Sequence, residues 1–172
     1  MSRKLEDLDP IVREKVCQFL DACEVAGDRV IITYTLRTKQ EQHALYAQGR
    51  EALPLVNAKR AIAHMPPITE EANLRKVTWT TNSMHLYGVA ADFVPIDAYN
   101  KPKWDDIEAF KRAGAIAKSL GFEWGGDWKK PDMPHIQFTA GLTLEQLEDG
   151  DRPSDVYNQA SPTLSHGMPE EG

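Results

Sequence analysis

Apolar residues recur at helical spacing between positions 10 and 26, where Val12, Val16, Phe19, Leu20 and Cys23 share one side. That period predicts an amphipathic helix turned toward a core. Asp9 stands where an N-cap belongs, Pro10 suits the first helical position, and Gly27 suits the stop. The period then shortens to two. "RVIITYTLRT", residues 29–38, predicts a strand with Val30, Ile32, Tyr34 and Leu36 on one face. Ile31, Thr33, Thr35 and Arg37 fall on the other, more polar face. Thr38 and Glu41 form a capping box that opens a second helix, ended by Gly49.

Between 50 and 78 the pattern is lost. "HMPPITEE" breaks any regular element, so an irregular excursion with one helical turn is expected. Strand character returns at "KVTWT" and at "GVAADFVPI". "WDDIEAFKRAGAIAKSLG" predicts a helix capped by Asp105, with Glu108 completing the box and Ile107, Phe110, Ile116 and Leu120 as its apolar stripe. "HIQFT", residues 135–139, predicts a short strand. In "GLTLEQLEDG", Thr143 and Gln146 form a further capping box, and Leu142 and Leu147 are placed for a hydrophobic staple. Beyond Gly150 the chain turns rich in Pro, Ser, Gly and acidic residues, and a disordered tail is expected over 151–172. There is no internal repeat. Residues 1–150 read as one small α+β domain, an antiparallel central sheet flanked by helices.

Composition narrows the function. A chain of 172 residues buries a core without staples. Its net charge of −6 and pI near 5.4 exclude nucleic acid as the main partner, because phosphate binding needs a basic face. "MSRKLEDLDP" lacks the apolar core of a signal peptide, and no stretch approaches membrane-spanning length. A cytoplasmic location without membrane insertion is therefore expected. Cys17 and Cys23 lie six apart in the first helix, on different faces and too far apart to bridge, so both read as reduced packing residues.

The chemistry concentrates in "TNSMHLYGVAADFVP", residues 81–95. Asp92 sits among Ala90, Ala91, Phe93 and Val94, where a bare carboxylate is costly to bury. His85 stands seven residues earlier, and a tight turn at Tyr87–Gly88 folds it back toward the strand. A metal ion explains the pair, since imidazole and carboxylate are standard zinc ligands. "KKPDMPHIQF" supplies a third ligand in His135. Two histidines and one carboxylate leave a fourth tetrahedral position for water, the catalytic arrangement. Asp132, three residues before His135, then suits a general base. His43, His64 and His166 read as surface residues.

"SMHLYGVAAD" together with "GFEWGGDWKKPDMPH" resembles the VanY-like zinc peptidases, and within them the phage endolysin branch. That family comprises D-alanyl-D-alanine carboxypeptidases and L-alanyl-D-glutamate endopeptidases acting on peptidoglycan. The similarity runs over about residues 25–148. It implies a single Zn2+ held by His85, Asp92 and His135 in a surface cleft, with Asp132 as the base. "TLRTKQEQHALYAQG" matches the family's arginine-bearing segment and nominates Arg37 for binding substrate or stabilising the tetrahedral intermediate. By the same resemblance Ser83 is a substrate hydrogen-bonder and Trp128 lines the cleft. Residues 51–76 depart from the family pattern, with Pro66–Pro67 in place of glycines, and read as an insertion bordering the cleft.

The resemblance implies amide hydrolysis in a peptidoglycan stem peptide by a monomer. The phage-like "WGGDW" context favours the L-Ala–D-Glu bond, with D-alanyl-D-alanine carboxypeptidase as the alternative. The expected setting is host lysis, the protein waiting in the host cytoplasm for release by a holin. A non-haem iron oxygenase also uses two histidines and a carboxylate, but its first pair is usually HxD. A zinc-fold binding module without catalysis would have no use for Asp132.

Overall fold

The computed structural model describes residues 1–160, so His166 and the rest of 161–172 lie outside the described residues. The first helix, α1 (Pro10–Ala26), forms where the apolar period predicts it, with Asp9 accepting a hydrogen bond from the Ile11 amide. Val12, Val16, Phe19 and Cys23 are buried along its inner side. Burial pushes the Cys23 thiol up to about 12, with Asp28 adding to the effect. Cys17 instead faces solvent, so only one of the two cysteines is a packing residue.

Strand β1 (Val30–Tyr34) pairs antiparallel with β2 (Ala90–Pro95). A register irregularity between Ile32 and Tyr34 inverts the alternation. Thr33 and Thr35, expected on the polar face, are consequently buried. Their hydroxyls donate to the carbonyls of Asp92 (3.2 Å) and Lys4 (3.0 Å). Helix α2 (Lys39–Ala47) opens on the full capping box of Thr38 and Glu41. Glu41 also pairs with the amino group of Met1.

The stretch expected to be irregular contains a ten-residue helix, α3 (Leu53–Ile62). Its inward positions are Val56 and Arg60, and a buried arginine hides the apolar period. The Arg60 Nε donates to the Pro66 carbonyl at 2.7 Å, and Asn57 clamps Ile68 through bonds of 2.8 and 3.1 Å. "KVTWT" forms no strand. Its polar groups are taken by side chains, the Gln42 amide donating to Thr78 Oγ1 and the Thr80 carbonyl and Arg50 to the Thr78 carbonyl.

Helix α4 (Ile107–Ser119) is capped by Asp106, which accepts from the Ala109 amide at 2.9 Å, rather than by Asp105. The one-residue shift turns Ile107 outward and buries Ala109, Phe110, Ala113, Gly114 and Ala117. Strands β3 (Glu123–Trp124) and β4 (His135–Gln137) complete a four-stranded antiparallel sheet in the order β1-β2-β4-β3. Phe93 on β2 packs edge-on against Phe19 of α1 at 5.2 Å and tilts against Phe110 of α4 at 5.5 Å. These aromatic contacts join sheet and helices in one core.

Helix α5 (Leu144–Asp149) starts on the predicted box of Thr143 and Gln146, and Leu147 is buried. Disorder from 151 onward does not hold for the described part: residues 153–160 form α6 (Pro153–Ala160). Asp9 explains the docking. Its Oδ1 caps α1 while its Oδ2 accepts from the Ser154 hydroxyl at 2.7 Å. Lys15 Nζ lies 4.4 Å from the Phe138 ring centre, and that ring meets Tyr157 edge-on. Among the described residues no helix is long and apolar enough to cross a membrane.

Candidate metal centre

Antiparallel pairing of β2 with β4 sets Asp92 directly opposite His135. Residues opposite one another in such a pair point to the same face, so carboxylate and imidazole meet. His85 arrives from a 3-10 turn, Met84–Tyr87, capped by Ser83. Gly88 ends that turn in the left-handed region at φ 67°, and a Cβ there would meet the Asp7 carbonyl at 3.0 Å. Only glycine suits both the backbone angle and the close approach.

The three side chains converge. Asp92 Oδ1 lies 3.2 Å from His85 Nε2 and 3.3 Å from His135 Nδ1. One potential donor atom from each residue falls within 4.8 Å of the others. The outer ring nitrogens are already engaged. His85 Nδ1 is 2.6 Å from the Thr35 carbonyl, and His135 Nε2 is 3.0 Å from Gln137 Oε1. An outer N–H donated to each oxygen leaves His85 Nε2 and His135 Nδ1 as lone-pair donors facing Asp92. Two imidazole nitrogens and a carboxylate oxygen fit a divalent ion such as zinc.

Electrostatics agree with that use. Burial alone would raise the Asp92 carboxyl, but His85 and His135 outweigh it and hold the carboxyl below the usual range. Burial works against a proton on His135, yet the Asp92 hydrogen bond and charge, with Gln137 and Asp132, raise its affinity for one.

Asp132 opens on the cleft. Desolvation of its carboxyl, followed by the charge of Asp92, raises it above its ordinary value. Its place is set by the "WGGDW" turn. The Gly125 carbonyl accepts from the amides of Trp128 (3.2 Å) and Asp132 (2.9 Å), and the Asp132 carbonyl accepts from the His135 amide (3.1 Å). Trp124 anchors the turn by donating its indole N–H to the Met133 carbonyl at 2.8 Å. The ring fits only because Gly114 and Gly126 flank it, where a Cβ would come within 2.3 and 2.2 Å. At Gly125 a Cβ would meet the Asp132 carbonyl at 2.5 Å and the Cβ of His135 at 3.1 Å. Gly125→Ala is therefore expected to destabilise the fold by about 1–3 kcal/mol and to reduce metal affinity. Thermal melts and metal titration check this, and an unchanged affinity would contradict it.

Arg37 is part-buried, its side chain 11% exposed, rather than a surface ion-pair residue. Its Nη1 donates to Gln42 Oε1 at 2.8 Å, its Nη2 lies 3.9 Å from Asp92 Oδ2, and its Nε has no partner among the described residues. Burial lowers its affinity for its proton, while Asp92 and Asp132 oppose that effect. Arg37, Ser83, Trp128 and Asp132 line one cleft of about 980 Å³ with the three candidate ligands. All seven residues singled out from the sequence thus meet at one place. His43 and His64 are exposed, as expected.

The sequence reading missed the supporting residues. Gln137 Nε2 donates to Glu123 Oε2 at 2.9 Å, and Trp128 Nε1 donates to Glu123 Oε1 at 2.7 Å. The Trp128 ring in turn lies 5.1 Å from the His135 ring, closing a circuit that orients the histidine. The signal was available for Gln137, two residues beyond His135 on the same strand face. Gln42, fully buried on α2, carried no local signal.

Residues 76–138 match the family described as D-alanyl-D-alanine carboxypeptidase. The chain is 33% identical over 144 residues to the peptidoglycan L-alanyl-D-glutamate endopeptidase CwlK of Bacillus subtilis (strain 168), covering 76% of this chain and 73% of that protein. It is 35% identical over 127 residues to the L-alanyl-D-glutamate peptidase of Listeria phage A118, covering 70% of this chain and 34% of the phage protein, about a third of its length. Two solved structures share the fold. The Serratia marcescens L-Ala D-Glu endopeptidase ChiX superposes with a TM-score of 0.55 at 20% identity, over 79% of this chain and 84% of that one. VanYB in complex with D-Alanine-D-Alanine superposes with a TM-score of 0.51 at 17% identity, over 90% and 84%. With a relative this similar over most of both lengths, and a histidine–aspartate–histidine group at the meeting of β2 and β4, the chain belongs to the M15 peptidase family and is a metallopeptidase.

Proposed function

We propose that the protein is a zinc-dependent peptidoglycan endopeptidase that hydrolyses the L-Ala–D-Glu bond of the stem peptide. The observation that carries this reading is the convergence of His85, Asp92 and His135 beside Asp132 in an open cleft. The names of the Bacillus and phage relatives support the choice of bond. Membership in a peptidase family sets aside the iron-oxygenase reading.

His85 Nε2, Asp92 and His135 Nδ1 would hold one zinc ion, which when bound supplies Lewis acidity and lowers the pKa of water. Asp132 accepts the proton of the attacking water and returns it to the departing amine. The Arg37 guanidinium, which lines the cleft with its Nη2 3.9 Å from Asp92 Oδ2, would face the negative charge that develops on the carbonyl oxygen. The Ser83 hydroxyl already accepts from the His85 amide at 3.4 Å and keeps its own proton for a substrate carbonyl. Trp128 forms a wall of the cleft. As a monomer awaiting release from the host cytoplasm to the cell wall, the protein would serve host lysis, a setting supported by the phage relative.

The family description favours one second reading, removal of a terminal D-Ala. Mass spectrometry of purified peptidoglycan digested by the zinc-loaded protein separates the two. The expected products end in free L-Ala on the glycan side. Loss of a single terminal D-Ala would establish the carboxypeptidase instead, and an unaltered digest would remove both.

A further inference from the structure

A chain of net charge −6 carries a basic rim on its cleft. Trp79 is 61% exposed, and three cations gather around its ring. Lys130 Nζ lies 4.1 Å from the ring centre, Lys76 Nζ 5.7 Å and the Arg50 guanidinium 5.7 Å. Trp79, Lys129 and Lys130 line the same cleft as the candidate metal ligands. Among the described residues, none of Arg50, Lys76 and Lys130 has a carboxylate partner.

The arrangement is fixed by the fold. Arg50 donates to the carbonyls of Tyr46 (2.6 Å) and Thr78 (3.0 Å) and stacks 3.9 Å over the Tyr46 ring. Gln42 fastens the 78–80 segment, donating to Thr78 Oγ1 and to the Thr80 carbonyl. At Gly49 a Cβ would meet the Lys76 amide nitrogen at 2.7 Å, so this glycine lets the Lys76 backbone dock against the end of α2. Three like charges held around one ring repel one another. Each cation–π contact returns little at an exposed site. An anion seated between the cations relieves the repulsion, and the flat indole offers an apolar surface to the atoms that bear it.

We propose that Trp79, with Lys76, Lys130 and Arg50, forms a subsite for a free carboxylate of the peptide substrate, one that is not part of the bond cut. The proposal rests on the peptidase reading above and adds a specificity: acidic peptides over their amidated counterparts.

The test compares synthetic stem peptides whose free carboxylates are amidated one at a time, cleaved by the zinc-loaded wild type and by the K76Q/K130Q double variant. Both lysines are exposed, so the substitutions spare the core. For the wild type, one amidation is expected to lower kcat/KM roughly tenfold, mainly through KM, an effect eroded by salt. In the double variant the ratio of acid to amide should fall to about 1. An amidation effect equal in both proteins, or absent from the wild type, would overturn the subsite. If the wild type cleaves no peptide, the peptidase reading fails separately. Calorimetric titration of the metal-free proteins with the same peptides then decides the subsite. Tighter binding of the acid to the wild type alone supports it, and equal binding overturns it.

Discussion

Asp132→Ala is expected to lower kcat by about 10²–10⁴-fold while leaving zinc affinity close to that of the wild type. The two readouts separate because Asp132 lies outside the group of converging donor atoms, which among the described residues is His85, Asp92 and His135. Its position depends on backbone, through the Gly125 carbonyl and its own carbonyl to the His135 amide, and alanine keeps those bonds. Desolvation and the neighbouring Asp92 raise the Asp132 carboxyl. In the metal-free protein its basic form is therefore lost at a higher pH than for an ordinary carboxylate. A bound divalent cation opposes that rise, and activity should fall as pH drops through the value the carboxyl takes in the zinc-loaded enzyme. A steady-state pH profile, with metal content measured alongside, checks both statements. Near-normal turnover in the alanine variant would assign the base elsewhere.

The centre was legible because its chemistry is local. His85, the Gly88 turn and Asp92 lie within eight residues, and Asp132 and His135 within four. Two short segments therefore carried every candidate ligand and the base, and a single β2–β4 pairing brought them together. Helix limits were legible where a cap and a period agreed, as at Asp9 and Thr38. Where two acidic residues compete, as at Asp105 and Asp106, local sequence does not choose between them. Packing does, by burying the face that carries Phe110 and Ala113.

Elements whose inner face is polar were hidden. Helix α3 turns Arg60 inward, α6 is tied to Asp9 across more than a hundred residues, and the Thr33–Thr35 face is inverted by an irregularity in strand pairing. In each case the deciding contact is distant in sequence or made by backbone, so no periodicity reports it. The same limit concealed Glu123 and Gln42, whose roles consist of holding another functional side chain still.

Zinc added to the metal-free protein is expected to stabilise it by about 2.7 kcal/mol at a hundredfold excess over Kd, raising Tm by about 5–11 °C for a chain of this size. His135→Ala should abolish the gain, because it removes one of the three donors that converge among the described residues. The size of the gain should depend on pH, since zinc and protons compete for the same donors. Asp92 has a lowered pKa in the folded state, so its contribution is present above the ordinary carboxylate value of about 3.9 and lost as pH falls below it. His135 has a raised pKa, so its contribution is complete below the ordinary imidazole value of about 6.5 and lost as pH rises through the folded value. Metal-free protein thus keeps both contributions in full between those two values. A metal ion must displace the His135 proton to bind, and that displacement is easiest at high pH. The Tm gain should accordingly be larger at about pH 8 than at about pH 5.5. Equal gains at both, or a gain retained by His135→Ala, would mean that zinc binds at some other group of donors.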